Sequence, residues 1–293
     1  MPTSLPWFEM PSPFESEVGK VLLLEPPWAS RELLQAQLLD ESYAKPFVID
    51  NGEERHLFFN LRLTQSVMRL REPNELAARY TQAMMSFLLF SPRPKRIVLI
   101  GLGGGSLLKF CFHRLPAAAL TAVEIDPHII ALREAFQMPP DGPRLQILNG
   151  DGAEYLVEPG HGMDILLVDA FDKAGFAPNL ANRAFFEAAR ARLSGNGVLV
   201  VNLAGDPANY AGLLSEAMHV FDDQVIVFAV PEDCNHILLA FKKRNFEPRW
   251  RWLHNHAREL RARYALDFPD FVRRIERSTK LGLAYRLRSR QAW

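Results

Sequence analysis

Four apolar runs of β type, each closed by small or acidic residues, follow one another between Ile97 and Asp172. They read IVLIGLGGGSLL, LTAVEIDP, LQILNGDGAEYL and DILLVDAFD. Runs that are apolar throughout belong to strands covered on both faces, as in a parallel sheet flanked by helices. In an open sheet of that kind, ligands bind outside the carboxyl ends of the strands. Here those ends carry glycines and acids, so one pattern restricts both the fold and the place where chemistry can occur.

The alternation extends in both directions. Strands are expected at Ile97–Gly101, Ala119–Glu124, Leu145–Asn149, Ile165–Asp169 and Gly197–Asn202. Helices are expected at Gly104–Arg114, Pro127–Phe136, Ala181–Leu193 and Pro207–Val220. Two more strands, Gln224–Val230 and His236–Lys242, flank Pro231-Glu232-Asp233-Cys234-Asn235. A loop that short implies an antiparallel hairpin. Upstream, Val21–Glu25 is a short apolar run, and Phe47–Asp50 and His56–Leu61 flank Asn51-Gly52, a hairpin signal. Glu75–Phe90 has helical apolar spacing and is broken by Ser91-Pro92-Arg93-Pro94. The expected division is a β-rich N-terminal domain over 1–75, a nucleoside-binding Rossmann-like catalytic domain over 76–243, and a basic helical extension over 244–293.

Composition sets outer bounds. The chain has 293 residues, 48% hydrophobic and 23% charged, enough to bury a sizeable core without cross-links. Lys+Arg and Asp+Glu both number 34, so net charge favours neither nucleic acid nor membrane as the main partner. Two cysteines, Cys111 and Cys234, lie far apart and form no disulfide framework. The start MPTSLPWFEMPSPF lacks the basic and apolar regions of a secretory signal, and no run approaches the ~20 apolar residues of a membrane span. A cytoplasmic protein is expected.

Three elements at strand ends point to a nucleoside. Gly101-Leu102-Gly103-Gly104-Gly105-Ser106 joins a strand to a helix, where glycines admit close backbone approach and the helix start supplies unpaired N–H groups. Ser106 stands where a dinucleotide fingerprint requires Gly or Ala, so the loop fits the tighter G-x-G-x-G pattern of methyltransferase-like proteins. Glu124 ends the next strand, where a carboxylate can accept from both ribose hydroxyls. Asp126-Pro127 after it reads as a helix start. Asn149-Gly150-Asp151-Gly152-Ala153 ends the third strand; Asp151 can accept from an adenine amino group, with Gly152 and Ala153 leaving room for the base. Each element alone has an ordinary structural reading, as a surface acid or a helix cap. Together and in order they indicate a nucleoside with a sulfonium tail.

The fourth strand ends in Val168-Asp169-Ala170-Phe171-Asp172, beside the expected sulfonium. An amine nucleophile, with a free pKa near ~10.4, must lose a proton before attacking carbon. A carboxylate can bind the ammonium, orient it and take that proton. Asp169 is the candidate, with Asp172 as a second acid. The plainer reading makes Asp169 a strand cap and Asp172 a loop acid.

These residues resemble the spermidine/spermine synthases, the polyamine aminopropyltransferases, whose core reads roughly G-G-G-D-G, V-E-I-D, G-D-G and D-S-S-D-P. VEIDP, GDGAEYL and the D-x-x-D element match, and the resemblance spans about Phe47 to Lys242. Leu61-Arg62-Leu63-Thr64-Gln65-Ser66 is similar to the family segment with a nucleoside-contacting glutamine, and Arg79-Tyr80-Thr81-Gln82 to its Tyr-His-Glu segment. The resemblance implies a methyltransferase-like Rossmann sheet of α/β class, mostly parallel with a C-terminal antiparallel hairpin, a small N-terminal β domain and a helical tail. It implies transfer of an aminopropyl group from decarboxylated S-adenosylmethionine to a small amine or polyamine. Cofactor-binding residues would be Gly101, Gly103, Gly104, Gly105, Glu124, Asp151 and Gly152. Asp169 would be catalytic, and Asp172, Tyr80 and Gln65 would bind substrate. No metal and no nucleic-acid partner are expected, and β-domain pairing in the family implies a homodimer or a tetramer.

Departures shape the alternatives. The family aspartate of G-G-G-D-G falls on Gly104; that acid faces the donor amine, and without it a donor retaining its carboxylate becomes acceptable. Thr81 and Gln82 replace a histidine and a glutamate, and Ala170-Phe171 replace two serines. Glu232-Asp233-Cys234-Asn235 replaces a Tyr-Pro-Ser-Gly stretch and returns acids nearby. A methyltransferase using S-adenosylmethionine itself, and a non-catalytic nucleoside-binding protein, are the competing functions.

The remaining features read as structural. Cys111 and His113, like His254 and His256, are two apart on helices and face different ways. Trp250 and Trp252 read as docking anchors of the tail. After residue 241 the tail carries fifteen cations and five anions. Solvated helix faces account for this excess, and no RNA-reading motif accompanies it.

Overall fold

A computed structural model describes residues 7–61, 64–172 and 175–288, the side chains at 172, 175, 176 and 178 excepted. Arg62, Leu63 and Arg290 lie outside the described residues, as does the start through Pro6. The N-terminal part is an antiparallel sheet of β1 (Phe8–Pro11), β2 (Lys20–Leu23), β3 (Phe47–Asp50), β4 (Glu54–Phe58) and β5 (Thr64–Arg69) in sequential order. The Asn51-Gly52 turn closes as expected: the Asn51 side-chain oxygen accepts from the Glu53 and Glu54 N–H groups at 2.9 and 2.8 Å. A helix not expected from the sequence, α1 (Arg31–Leu39), lies between β2 and β3. Ser30 caps it, and only Leu34 and Leu38 are buried, too few apolar positions for a periodic signal.

The core is a seven-stranded sheet. Its strands are β6 (Arg96–Ile100), β7 (Ala119–Glu124), β8 (Leu145–Asn149), β9 (Met163–Val168), β12 (Leu193–Ala204), β13 (Val225–Val230) and β14 (Asn235–Phe241), in the order β13-β14-β12-β9-β6-β7-β8. Neighbours from β8 to β12 are parallel, while β14 runs antiparallel to β12 and β13. The chain leaves β6 toward β7 and β8, then returns to its other side at β9. The crevice between β6 and β9 is therefore the topological switch point, where such sheets hold ligands. A two-stranded ribbon of β10 (Phe171–Asp172) and β11 (Gly175–Phe176) follows β9.

The helices are α2 (Arg79–Met84), α3 (Ser106–Arg114), α4 (Pro127–Ala131), α5 (Gly152–Val157), α6 (Arg183–Arg192), α7 (Pro207–Val220), α8 (Trp250–Tyr264), α9 (Phe268–Leu281) and α10 (Leu283–Arg288). Two expected helices are shorter than their patterns. Glu75–Phe90 is helical only from Arg79, and Met85–Leu89 winds as a tighter 3-10 turn. Residues 83–89 are all buried, so this segment is surrounded by protein rather than lying on a surface with one wet face. The Pro127–Phe136 helix stops at Ala131, after which turns carry Phe136 beneath the glycine loop.

The tail is a layer of the core. Leu253, Ala257, Leu260 and Tyr264 of α8, and Phe268, Phe271, Val272 and Ile275 of α9, join the hydrophobic cluster that holds Ile97 and Leu99. Trp250 packs against that cluster, but Trp252 is 51% exposed and stacks on His256, so it anchors nothing. Among the described residues no helix is long and apolar enough to cross a membrane. Among them, too, no group of three His, Cys, Asp or Glu side chains is placed to hold a metal ion.

One core residue works against stability. Lys109 of α3 is 1% exposed, and its ammonium donates to the Phe136 carbonyl at 2.8 Å and to Met68 Sδ at 3.0 Å. Burial lowers its pKa from 10.5 to about 8. The charged form therefore destabilises the fold fully below pH 8, and wild type recovers stability as pH rises toward 10.5. Lys109→Met is expected to be more stable by about 1–2 kcal/mol at pH 7, with a smaller advantage at pH 10. Denaturant titrations at both pH values check this; a variant destabilised at both would contradict it.

Candidate active site

The glycine loop leaves β6 in a conformation that side chains resist. Gly101 has φ +89°, and a Cβ there would lie 2.2 Å from the Asp169 carbonyl oxygen. That contact closes the gap between the ends of β6 and β9. Gly103 and Gly105 also have positive φ, and Gly105 begins α3 without a side-chain cap. The first-turn N–H groups of α3 thus lack a capping side chain. Gly104 differs: a Cβ there would meet Ser66 Oγ at 2.6 Å and the Phe136 ring at 3.0 Å. The protein's own side chains fill the room an acid would need, and Phe136 is fully buried and cannot yield.

Glu124 ends β7 at 8% exposure. Its carboxylate accepts from the Leu102 N–H at 2.8 Å and the Asp126 N–H at 2.9 Å, which ties β7 to the glycine loop. Burial pushes its pKa up, and the two backbone donors oppose that. A carboxylate offers about four lone-pair sites, so acceptor capacity remains for hydroxyls. Ile125, just after it, is 65% exposed, an apolar surface at the cleft that sequence reasoning passed over. Asp126 caps α4 as expected, accepting from the His128 N–H at 2.8 Å.

Asp151 is the N-cap of α5. One oxygen accepts from the Ala153 N–H at 2.7 Å and the other from the Asn179 side-chain amide at 2.7 Å. Gly152 is buried, and a Cβ there would lie 2.4 Å from Ile100 Cγ2. Close packing of α5 on β6 accounts for that glycine, rather than room for a base. Ile100 joins the site together: its side chain faces Gly152 and its carbonyl accepts from the Asp169 N–H at 3.0 Å.

Asp169 sits at the end of β9, and burial raises its pKa from 3.8 to about 6. Two donors moderate the rise. The Asn202 amide donates to it at 2.8 Å, and the Tyr80 hydroxyl hydrogen-bonds to it from α2. Asn202 in turn accepts from the Asn235 amide at 2.7 Å. Tyr80 is held at its other end, where its backbone N–H donates to Asp233 at 2.6 Å. Burial first, then the neighbouring Asp169 charge, keeps the Tyr80 phenol protonated well beyond its usual range. Asp169, Tyr80, Asn202, Asn235 and Asp233 form one network across five segments: the end of β9, α2, β12, β14 and the turn that precedes it.

Sequence reasoning missed Asn202 and Asn235. A signal existed: Asn202 interrupts the apolar run GVLVVNLA, and it is 2% exposed, where a polar side chain needs partners. Gln65 is the extra residue of a bulge in β5, because Phe58 pairs with Thr64 and Leu57 with Ser66. Its neighbour Ser66 touches the glycine loop. The backbone of Asp172 pairs with Gly175 in the ribbon after β9, and its side chain lies outside the described part. Surface grooves of about 810 and 680 Å³ elsewhere on the molecule contain neither Asp169 nor Glu124 nor the glycine loop. The chemistry, not the cavity volume, marks the site.

A glycine loop, an acid at the end of β7 and a half-buried aspartate at the switch point, on a sheet closed by an antiparallel hairpin, define a methyltransferase-like α/β protein. A family model described as the spermine/spermidine synthase domain matches residues 77–223. A polyamine aminopropyltransferase of Chromobacterium violaceum is 35% identical over 234 residues, covering 80% of this chain and 90% of that relative. The chain belongs to the spermine/spermidine synthase family. In fold it is similar to a probable spermidine synthase from Corynebacterium glutamicum, at TM-score 0.62 and 23% identity, covering 74% of this chain and 84% of that one. It is also similar to a spermidine synthase solved with the transition-state analogue AdoDATO, at TM-score 0.58 and 19% identity, covering 97% of each.

Proposed function

We propose that the chain is an aminopropyltransferase that moves an aminopropyl group from decarboxylated S-adenosylmethionine to a small amine. The reading is carried by Asp169, a half-buried carboxylate with pKa about 6, oriented by Asn202 and Tyr80 beside the glycine loop. Its relative from Chromobacterium violaceum bears the aminopropyltransferase name, and a fold neighbour was solved with AdoDATO.

In this reading Glu124 accepts from the ribose hydroxyls, Asp151 receives the adenine amino group, and Ile125 offers an apolar face to the base. Gly101, Gly103, Gly104 and Gly105 let the backbone approach the donor, with Gly152 seating α5 beneath it. Gln65, on its bulge, serves the same pocket. Asp169 binds the incoming ammonium and takes its proton. The amine nitrogen then attacks the carbon on S⁺. The C–N bond forms as the C–S bond breaks, and the electron pair stays on sulfur as a neutral thioether nucleoside. The proton leaves through the Asp169 carboxyl to solvent. A base with pKa near 6 is mostly ionised at pH 7 and holds a proton better than an ordinary aspartate. The sulfonium is a good leaving group, so positioning and desolvation supply most of the rate. Asp172 and Asp233 are acids for a distal cationic amine.

Gly104 favours a second reading, methyl transfer from S-adenosylmethionine itself, because no carboxylate stands there to meet a donor amine. Calorimetry with both donors separates the two. The decarboxylated donor is expected to bind at least about tenfold tighter, and a diamine is expected to release methylthioadenosine from it. Tighter binding of the carboxylate-bearing donor, with a methylated product, would overturn the first reading.

A further inference from the structure

The short turn between β13 and β14 carries Asp233, which holds Tyr80, and leads into Asn235, which holds Asn202. Both partners of Asp169 are therefore supported from this one loop. The turn is Pro231–Asp233, followed by Cys234 at φ +56°. A turn of that length has no core of its own, so something outside must hold it.

The holding group comes from the tail. Arg274 of α9 makes a two-pronged ion pair with Glu232, at 2.6 and 3.0 Å. The same guanidinium donates to the Ala229 carbonyl at 3.3 Å and is braced within its helix by Asp270 at 2.5 Å. Its side chain is 26% exposed and that of Glu232 is 40% exposed, so the hold rests on the two-pronged geometry and on the added Asp270 and Ala229 bonds rather than on exclusion of solvent. The helix beneath is fixed: Phe268, Phe271, Val272 and Ile275 are buried, and the Ser278 hydroxyl donates to the Val227 carbonyl of β13. Parallel guanidinium–carboxylate pairs fix direction as well as distance, which an ammonium does not.

We propose that Arg274 is a positioning residue: by clamping Glu232 it sets the β13–β14 turn so that Asp233 and Asn235 hold Tyr80 and Asn202 against Asp169, and so completes the acceptor side of the site. Its functional consequence rests on the transfer reading above. The clamp also withdraws the Glu232 charge, whose carboxyl is held down to about 2 chiefly by the Arg274 hydrogen bonds. Asp233 then remains the acid of this loop that meets the site. The clamp thus serves the acceptor side: among the described residues the hydrogen bonds of Arg274 go to Glu232, Asp270 and Ala229, and to no nucleoside element.

Cys234 supplies a built-in reporter. It is exposed within the turn, while Cys111 is fully buried. A thiol reagent on the folded protein therefore reports Cys234. The full-length chain is compared with Arg274→Gln, Arg274→Lys, Glu232→Gln and, as a control, Arg277→Gln, an exposed position on the same helix. Arg274→Gln and Glu232→Gln are each expected to change the Cys234 labelling rate by about threefold or more and to raise the acceptor KM about tenfold. Methylthioadenosine affinity and the donor KM stay within about twofold, because neither Arg274 nor Glu232 hydrogen-bonds to the glycine loop, Glu124 or Asp151. Arg274→Lys recovers part of the loss, the double variant is no worse than either single one, and Arg277→Gln behaves as wild type. The inference is overturned if both clamp variants label Cys234 at the wild-type rate, or if donor and acceptor KM change together. Should wild type transfer nothing to any amine tested, the transfer reading falls, and the Cys234 rates alone still decide whether Arg274 positions the turn.

Discussion

Asp169→Asn is expected to abolish turnover while leaving methylthioadenosine bound with near wild-type affinity. Losing a positioned base costs about 10²–10⁴-fold, and the side-chain carboxylate makes no bond to Glu124 or the glycine loop. The pH profile carries the same information. Asp169 must be ionised to accept a proton, so kcat falls as pH drops through about 6. The hydroxyl of Tyr80 and the amide of Asn202 both favour the ionised form, so Tyr80→Phe and Asn202→Ala move that limb to higher pH. Stability moves the other way. A carboxyl whose folded pKa lies above its ordinary 3.8 favours the folded state at low pH and loses that contribution as pH rises through 6. At pH 7.5 wild type thus carries the cost of a buried charge, and Asp169→Asn should be more stable by up to about 3 kcal/mol, an advantage absent near pH 4. Melting curves at the two pH values and single-turnover assays measure both sides. A variant with undiminished rate would falsify Asp169 as the proton acceptor.

Gly101→Ala should be the most damaging small substitution in the cleft. The added Cβ would sit 2.2 Å from the Asp169 carbonyl oxygen, and the residue's φ of +89° is foreign to alanine. Neither neighbour can retreat, because both are main chain at the ends of adjacent parallel strands. The expected cost is about 3 kcal/mol or more, together with loss of nucleoside binding as β6 and β9 are wedged apart. Gly150→Ala serves as the contrast, since a Cβ there meets nothing within 4 Å. Chemical denaturation and methylthioadenosine calorimetry on both variants check the difference. Equal stability of the two would mean that the close approach of β6 and β9 is not maintained.

Much of the site was legible from the chain alone because its parts are local. The strands β6, β7 and β9 are mostly apolar, as burial on both faces requires, whereas β8 at the sheet edge buries only Leu145; each of the four announces its carboxyl end by a change of residue type. Gly101, Glu124, Asp151 and Asp169 stand at those ends because the sheet topology puts functional groups there. Gly104 and Gly152 were harder to interpret. A glycine required by packing and one that makes room for a ligand look the same in sequence, and only Ser66, Phe136 and Ile100 in three dimensions tell them apart. The α1 helix escaped because it buries too few residues to show a helical period, and the apolar spacing of Glu75–Phe90 indicated a helix without telling the 3-10 winding at Met85 from an α-helix.

Local physics wrote the strands, the glycine turns and the acids at their ends into the sequence: each depends on a few consecutive residues and on the two-faced burial of a strand. Tertiary structure alone decided how Tyr80, Asp233, Asn235 and Asn202 meet at Asp169, and that Arg274 of the tail fastens their loop. Those contacts join positions 33 to 153 residues apart, and no short-range pattern encodes a hydrogen bond whose partners become neighbours only when the sheet closes.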